Sequence, residues 1–236
     1  MKKERGIELV SVHLPKTAGT AFLDILFQVY GKDKIFLDYN DKIGDPLSQF
    51  NTDYPKWLKN RDNFIKSINP DALVIHGHFS AVKYDGYFAD AKRIVWLREP
   101  ISRLISHYFY WVGIPPSQNS LHKVLLEKNL SLLEFAELPT MQNRMSRIFF
   151  RDVDINHFYF IGIQEFFEDD LAKLAVLMDW PRVTMPIVNR TNTLGYSSFD
   201  TDKSLMEKLA FLNKEDIGLY QTALKLREGR IKQAIK

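Results

Sequence analysis

The 236-residue chain predicts an α/β fold, a parallel sheet flanked by helices. Three observations point there. Short apolar runs recur along the chain. Each run is nearly continuous rather than alternating, as in strands covered on both faces. Stretches with helical spacing of apolar residues separate them.

In chain order, Glu8 to Leu14 (ELVSVHL) is the first β-rich run, and it stops at Pro15. A helix follows over Thr20 to Tyr30, with Phe22, Ile25, Leu26 and Val29 on one stripe. The polar and aromatic stretch from Lys32 to Asn69 is expected to be a long connection with short helices. Asp71 to His76 (DALVIH) and Arg93 to Leu97 (RIVWL) are the second and third runs. Pro100 suits a first helical turn and opens a helix over Ile101 to Trp111. Ser117 to Phe150 reads as helical. Phe158 to Ile163 (FYFIGI) is the fourth run and feeds a helix from Phe167 to Met178. The tail from Asp202 to Ile235 reads as helices interrupted near Asn213. There is no internal repeat, low-complexity tract or linker, so one domain over 1–236 is expected.

Composition narrows the chemistry. The chain is 45% hydrophobic and 26% charged, a globular profile, and 32 basic against 29 acidic residues leave a net charge of only +3. That is too mild to imply a nucleic-acid or membrane surface, so any anion binding rests on a few local positions. There is no cysteine, which removes disulfides, thiolate nucleophiles and Cys-based metal sites. No apolar run approaches the roughly 18 residues of a membrane span, and no signal-peptide core follows the charged N-terminus. The expectation is a soluble, cytoplasmic protein. No two glycines lie two positions apart, so a dinucleotide fingerprint is absent. Gly31-Lys32 has Leu26 where a nucleotide P-loop needs its first glycine.

The sharpest local signal is His13-Leu14-Pro15-Lys16-Thr17-Ala18-Gly19-Thr20, between the first strand and the first helix. Such a turn aims free N–H groups and the positive end of a helix at one point. Gly19 permits close backbone approach, Lys16 adds charge, and Thr17 and Thr20 add hydroxyls. The alternative is a plain capped turn with a solvated lysine. Its place after the first strand of an α/β pattern favours anion binding, because such sheets bind ligands at strand C-termini. The third run repeats the layout. Arg98 ends the strand and Ser106 lies eight residues on, about two helical turns in. An arginine can fork two donors onto a phosphate. Taken alone, Arg98 reads as the partner of Glu99 or another carboxylate. Beside the first loop, the pair reads as a site for a ligand with two separate phosphate groups. His76-Gly77-His78 closes the second run, where residues two apart share a face, so both imidazoles can face the cleft. Structural strand-end histidines and a His-x-His zinc site are the competing readings.

The HLPKTAGT turn together with LREPISRLISHY resembles the sulfotransferases that use 3′-phosphoadenosine-5′-phosphosulfate, in particular the branch with heparan sulfate 2-O-sulfotransferase and many bacterial relatives. The resemblance implies a P-loop NTPase-like sulfotransferase fold and transfer of a sulfuryl group from that donor to an acceptor hydroxyl, on a carbohydrate or a small metabolite. It implies that Lys16, Thr17, Ala18, Gly19 and Thr20 hold the 5′-phosphosulfate and that Arg98 and Ser106 hold the 3′-phosphate. The family often has Gly at the position of Ala18. A Gly-His-Phe core in bacterial relatives points to His78 as the base, with His76 supporting it or touching substrate. Lys16 would also stabilise the leaving oxygen, and no metal is required. Arg190 and Thr191 are candidates for a late loop over the nucleotide, and Asn143-Arg144 resembles a helix bordering the substrate cleft. His13, His107, His122 and His157 have no assigned role. Two other functions stay open: a related phosphotransferase, and a non-catalytic nucleotide-binding module.

Overall fold

The computed structural model describes residues 6–185 and 202–234, the last four as main chain only. Five parallel strands form one sheet in the order β2-β3-β1-β4-β5. They are β1 (Leu9–Val12), β2 (Ile35–Asp38), β3 (Val74–Gly77), β4 (Lys92–Leu97) and β5 (Phe160–Ile163). The helices are α1 (Gly19–Tyr30), α2 (Gln49–Thr52), α3 (Tyr54–Ser67), α4 (Pro100–Val112), α5 (Ser120–Glu127), α6 (Leu132–Glu137), α7 (Phe167–Leu177), α8 (Lys203–Leu212) and α9 (Lys214–Ala234). The expected architecture of a parallel sheet between helices is the one observed.

The apolar runs are continuous because both faces of the sheet are covered. Leu9, Val74, Ile94, Trp96 and Phe160 pack with Phe22, Ile25 and Leu26 of α1 and Leu171 and Leu174 of α7. Val10, Val12, Ile75, Val95, Ile161 and Ile163 pack on the other face with Phe149, Phe150 and Ala223. A third cluster joins Leu104 and Ile105 of α4 to Leu125, Phe135 and Leu209. In the register of β4 and β5, Trp96 lies opposite Gly162, where any Cβ would overlap the indole.

Three readings of the sequence need correction. The stretch 32–69 is not simply a long connection with short helices. It contains the edge strand β2 and the 14-residue helix α3. Four residues, Ile-Phe-Leu-Asp, are too short a run to stand out, and β2 has its one partner strand in β3. The stretch 117–150 is helical in pieces, α5, α6 and a π-helical turn over Met145–Phe149, and β5 begins at Phe160 rather than Phe158.

The topology places the site. From β1 the chain crosses to β2 on one side of the sheet, whereas from β4 it continues to β5 on the other. The strand order therefore reverses between β1 and β4, where open α/β sheets form a crevice at their strand C-termini. The loops after β1, β3 and β4 converge there.

Candidate active site at the β1–β4 switch point

The loop from β1 to α1 is held in a costly conformation. Lys16 and Ala18 both have left-handed backbones, with φ of 72° and 67°. For residues with a Cβ this conformation costs about 1–2 kcal/mol each. Such strain gathers where a backbone must present its N–H groups to a ligand. Between them Thr17 is fully buried, and its hydroxyl donates to the Leu14 carbonyl at 2.9 Å. Thr17 thus stiffens the loop with its side chain and has its main-chain N–H to offer a ligand. The first bond of the helix runs from the Phe22 N–H to the Ala18 carbonyl at 3.0 Å, so the N–H groups of Gly19, Thr20 and Ala21 precede it. Thr20 is exposed at this helix start.

Arg98 leaves the end of β4 and donates from Nη1 to the Lys16 carbonyl at 3.4 Å. Two cations from separate motifs are therefore neighbours, on the same side of the molecule. The Lys16 ammonium lies 4.1 Å above the ring of Tyr110. Burial, and then the charge of Arg98, pull its pKa below the usual lysine value. A bound anion would relieve both. Glu99 does not serve as the partner of Arg98. Its carboxylate caps α4, accepting from the Ile101 N–H at 3.0 Å and the Ser102 N–H at 2.6 Å. Ser106 is fully buried on the inner side of α4.

The imidazoles collect beside these loops. His76 is buried on β3 and shares a hydrogen bond of 2.9 Å between its Nδ1 and the Ser11 hydroxyl, across a register that pairs the two residues. His78 lies one residue beyond the strand. Gly77 separates them because the main chain of Asp38 crosses where a Cβ would stand. His13, at the end of β1, joins them with ring centroids 5.0 Å from His76 and 4.4 Å from His78. Tyr39 follows β2 and completes the group, its hydroxyl 3.1 Å from His13 Nδ1 and its ring edge-on to His78 at 4.7 Å. The Nε2 atoms of His76 and His78 are buried without a hydrogen-bond partner.

Electrostatics keep the group neutral. Burial, reinforced by His13 and Arg144, holds His78 well below the ordinary imidazole value, and burial with His13 and His78 does the same for His76. Burial alone pushes His13 down to about 4. On the α4 side, His107, Arg103 and Arg144 are buried, with His107 Nδ1, Arg103 Nε and Nη2, and Arg144 Nε unpartnered. Arg144 is brought down to about 9 by burial and by Arg103, with Asp216 opposing. Among the described residues, no group of three His, Asp or Glu side chains is arranged to hold a metal ion.

The structure thus brings Lys16, Thr17, Ala18, Gly19, Thr20, Arg98, His76 and His78 to one end of the sheet, and Ser106 lies buried on the helix that follows Arg98. Arg190 and Thr191 lie outside the described residues. Sequence reasoning missed the membership of His13 and Tyr39. His13 opens the loop motif, which was a signal for it. Tyr39 had none, because its strand was not recognised.

Fold and site together define a doubly wound α/β protein with Lys16 and Arg98 side by side at its switch point. The model of the "Sulfotransferase family" matches residues 4–221, and the chain belongs to that family. Heparan sulfate 2-O-sulfotransferase 1 of Pongo abelii and that of Homo sapiens are each 27% identical over 113 residues, 47% of this chain. The match spans 31% of the length of these relatives. Among solved structures, a sulfotransferase from Alicyclobacillus acidocaldarius is 16% identical with a TM-score of 0.38, over 94% of this chain and 100% of that one. Mouse sulfotransferase SULT7A1, solved in complex with PAP, is 15% identical with a TM-score of 0.39, over 90% of this chain and 66% of that one.

Proposed function

We propose that this protein transfers a sulfuryl group from 3′-phosphoadenosine-5′-phosphosulfate to an acceptor hydroxyl. One observation carries the reading: Lys16 and Arg98, from two motifs 82 positions apart, meet at the switch point beside an unpartnered imidazole. The strained loop and the juxtaposed cations fit a doubly anionic nucleotide. The main-chain N–H groups of 17–20 with Lys16 hold its 5′ end, and Arg98 with Ser106 holds its 3′-phosphate.

The donor supplies an activated sulfuryl group. The residues of the chain supply the rest. His78 Nε2 takes the proton of the acceptor hydroxyl as its oxygen bonds to sulfur. The bond from sulfur to the bridging phosphate oxygen breaks, and Lys16 stabilises the charge that collects on that oxygen. His76, buried and tied to Ser11, orients its neighbours and does not reach the acceptor. A neutral His78 is already in the accepting state at neutral pH. Its lowered pKa places the acid limb of the rate profile below pH 6.5, the ordinary value. The similarity to the two heparan sulfate 2-O-sulfotransferases supports a carbohydrate acceptor.

The test uses radiolabelled donor and a panel of saccharide and small-alcohol acceptors. The native protein is expected to bind adenosine 3′,5′-bisphosphate and to transfer label. His78→Asn is expected to lose transfer by a factor on the order of 10²–10⁴ while its bisphosphate affinity stays within about twofold. Absence of binding to either nucleotide would sink the proposal, and full turnover by His78→Asn would remove His78 as the base.

A further inference from the structure

We infer that Tyr39 fixes the tautomer of His13, so that His13 presents its Nε2–H to the sulfuryl end of a donor held by the loop before α1. The inference rests on the transfer reaction proposed above and adds a contact residue and a positioning residue to it.

The two edges of the His13 ring face different structures. Nδ1 faces the Tyr39 hydroxyl at 3.1 Å. Nε2 and Cδ2 face Gly19, so closely that any Cβ there would overlap them. His13 therefore stands between the first residue of α1 and the ring of His78, 4.4 Å away.

Tyr39 is itself held firmly. Asp38 pairs with Gly77 in the sheet register, which sets Tyr39 abreast of His78. The Asp38 carboxylate accepts from Lys83 Nζ at 2.6 Å and from the Tyr84 hydroxyl at 2.7 Å, all within the core. Lys83 Nζ also reaches Asp41 at 2.7 Å, so the segment is clasped on both sides of Tyr39.

A neutral phenol can donate to Nδ1 or accept from it, and we take Tyr39 as the donor in this 3.1 Å contact. Burial pushes the Tyr39 phenol up to about 12, so it keeps its proton and can donate. Burial keeps His13 neutral, with one N–H. When Tyr39 donates to Nδ1, the imidazole proton sits on Nε2, the edge turned toward Gly19 and the donor loop. A fixed donor there can bond a sulfuryl oxygen that the intact phosphosulfate has and the spent bisphosphate lacks.

The experiment compares dissociation constants for those two nucleotides in the full chain, with ¹⁵N spectra of the histidines. In the native protein His13 is expected as the Nε2–H tautomer. His13→Ala should weaken the phosphosulfate about tenfold, the size of one charge-assisted hydrogen bond, while the bisphosphate changes less than about twofold. His13→Gln, which keeps an N–H at that reach, should recover part of the loss. Tyr39→Phe should give mixed His13 tautomers and a loss of about threefold confined to the phosphosulfate. Equal losses for both nucleotides in His13→Ala, or an Nδ1–H tautomer in the native protein, would overturn the inference and leave the transfer reading standing. If the native protein bound neither nucleotide, both would fall.

Discussion

Asp41 shows how much one buried proton can matter here. Lys83 serves two carboxylates at once, Asp38 at 2.6 Å and Asp41 at 2.7 Å, with all three side chains fully buried. One negative charge is in excess, and Asp41 Oδ2 has no partner. Burial raises the Asp41 carboxyl to about 6, from an ordinary value of 3.8, against the pull of Lys83. Its folded pKa lies above its unfolded one, so the folded state binds this proton more tightly. The resulting stability is present below the ordinary value and is lost as pH rises through about 6. Asp41→Asn mimics the protonated form. It is expected to match the native protein in urea unfolding at pH 4 and to exceed it at pH 7.5 by up to about 3 kcal/mol. A native advantage at pH 7.5 would show that the second ion pair outweighs the excess charge. His76, His78 and His107 act in the opposite direction. Their depressed values mean that stability falls as pH drops below 6.5, the ordinary imidazole value.

Among the elements, the β1–α1 loop carries the clearest stored strain. Ala18 is the N-cap of α1 with φ 67° and ψ 18°, and its side chain makes no capping bond. Ala18→Gly removes the left-handed penalty and adds the larger entropy loss of glycine. The two nearly cancel, so urea unfolding is expected to shift by less than about 1 kcal/mol. Ala18→Val adds a β-branched side chain to the same conformation and should destabilise by about 2 kcal/mol or more. If Ala18→Val unfolded like the native protein, the loop would not hold this conformation in solution. A second element device joins the 143–149 turn to α9. Asp216 accepts from the N–H groups of Met145 at 2.9 Å and Ser146 at 2.7 Å, and Asn143 Oδ1 accepts from the Glu215 N–H at 2.9 Å. Two helical segments far apart in sequence cap each other. Asp216 is also the carboxylate that steadies the buried Arg103 and Arg144. Asp216→Ala is expected to cost about 3–5 kcal/mol in urea unfolding, because it removes a counter-charge from two buried cations and leaves N–H groups unpaired.

Across the whole molecule, the two turns proposed to hold the nucleotide follow adjacent strands, β1 and β4, so a ligand that spans them should brace the centre of the sheet. Adenosine 3′,5′-bisphosphate at 100 times its dissociation constant adds about 2.7 kcal/mol to the unfolding free energy. For a chain of this size the melting temperature should rise by about 5–10 °C. Lys16→Ala or Arg98→Ala should abolish most of the shift, and 0.5 M salt should reduce it. Equal shifts in both variants would show that neither cation touches the nucleotide.

Much of this was legible in the amino-acid sequence. Four of the five strands show as continuous apolar runs, because both faces of the sheet are covered. The turn from β1 to α1 shows because a Lys-Thr-Ala-Gly-Thr between strand and helix is a local arrangement, set by residues next to one another in the chain. β2 was hidden by its brevity and its place at the sheet edge. Tyr39, on the segment that follows it, was hidden with it.

The chain by itself determined the elements and the residues available to them: buried strands, a Lys-Thr-Ala-Gly-Thr turn, an arginine at a strand end and a pair of histidines. The tertiary structure alone decided which groups meet. Strand order put Lys16 against Arg98, and register put Tyr39 beside His78. Packing buried the imidazoles of His13, His76, His78 and His107 deeply enough to stay neutral. Periodicity is a property of neighbouring residues, whereas register, burial and desolvation arise only when distant segments close on one another.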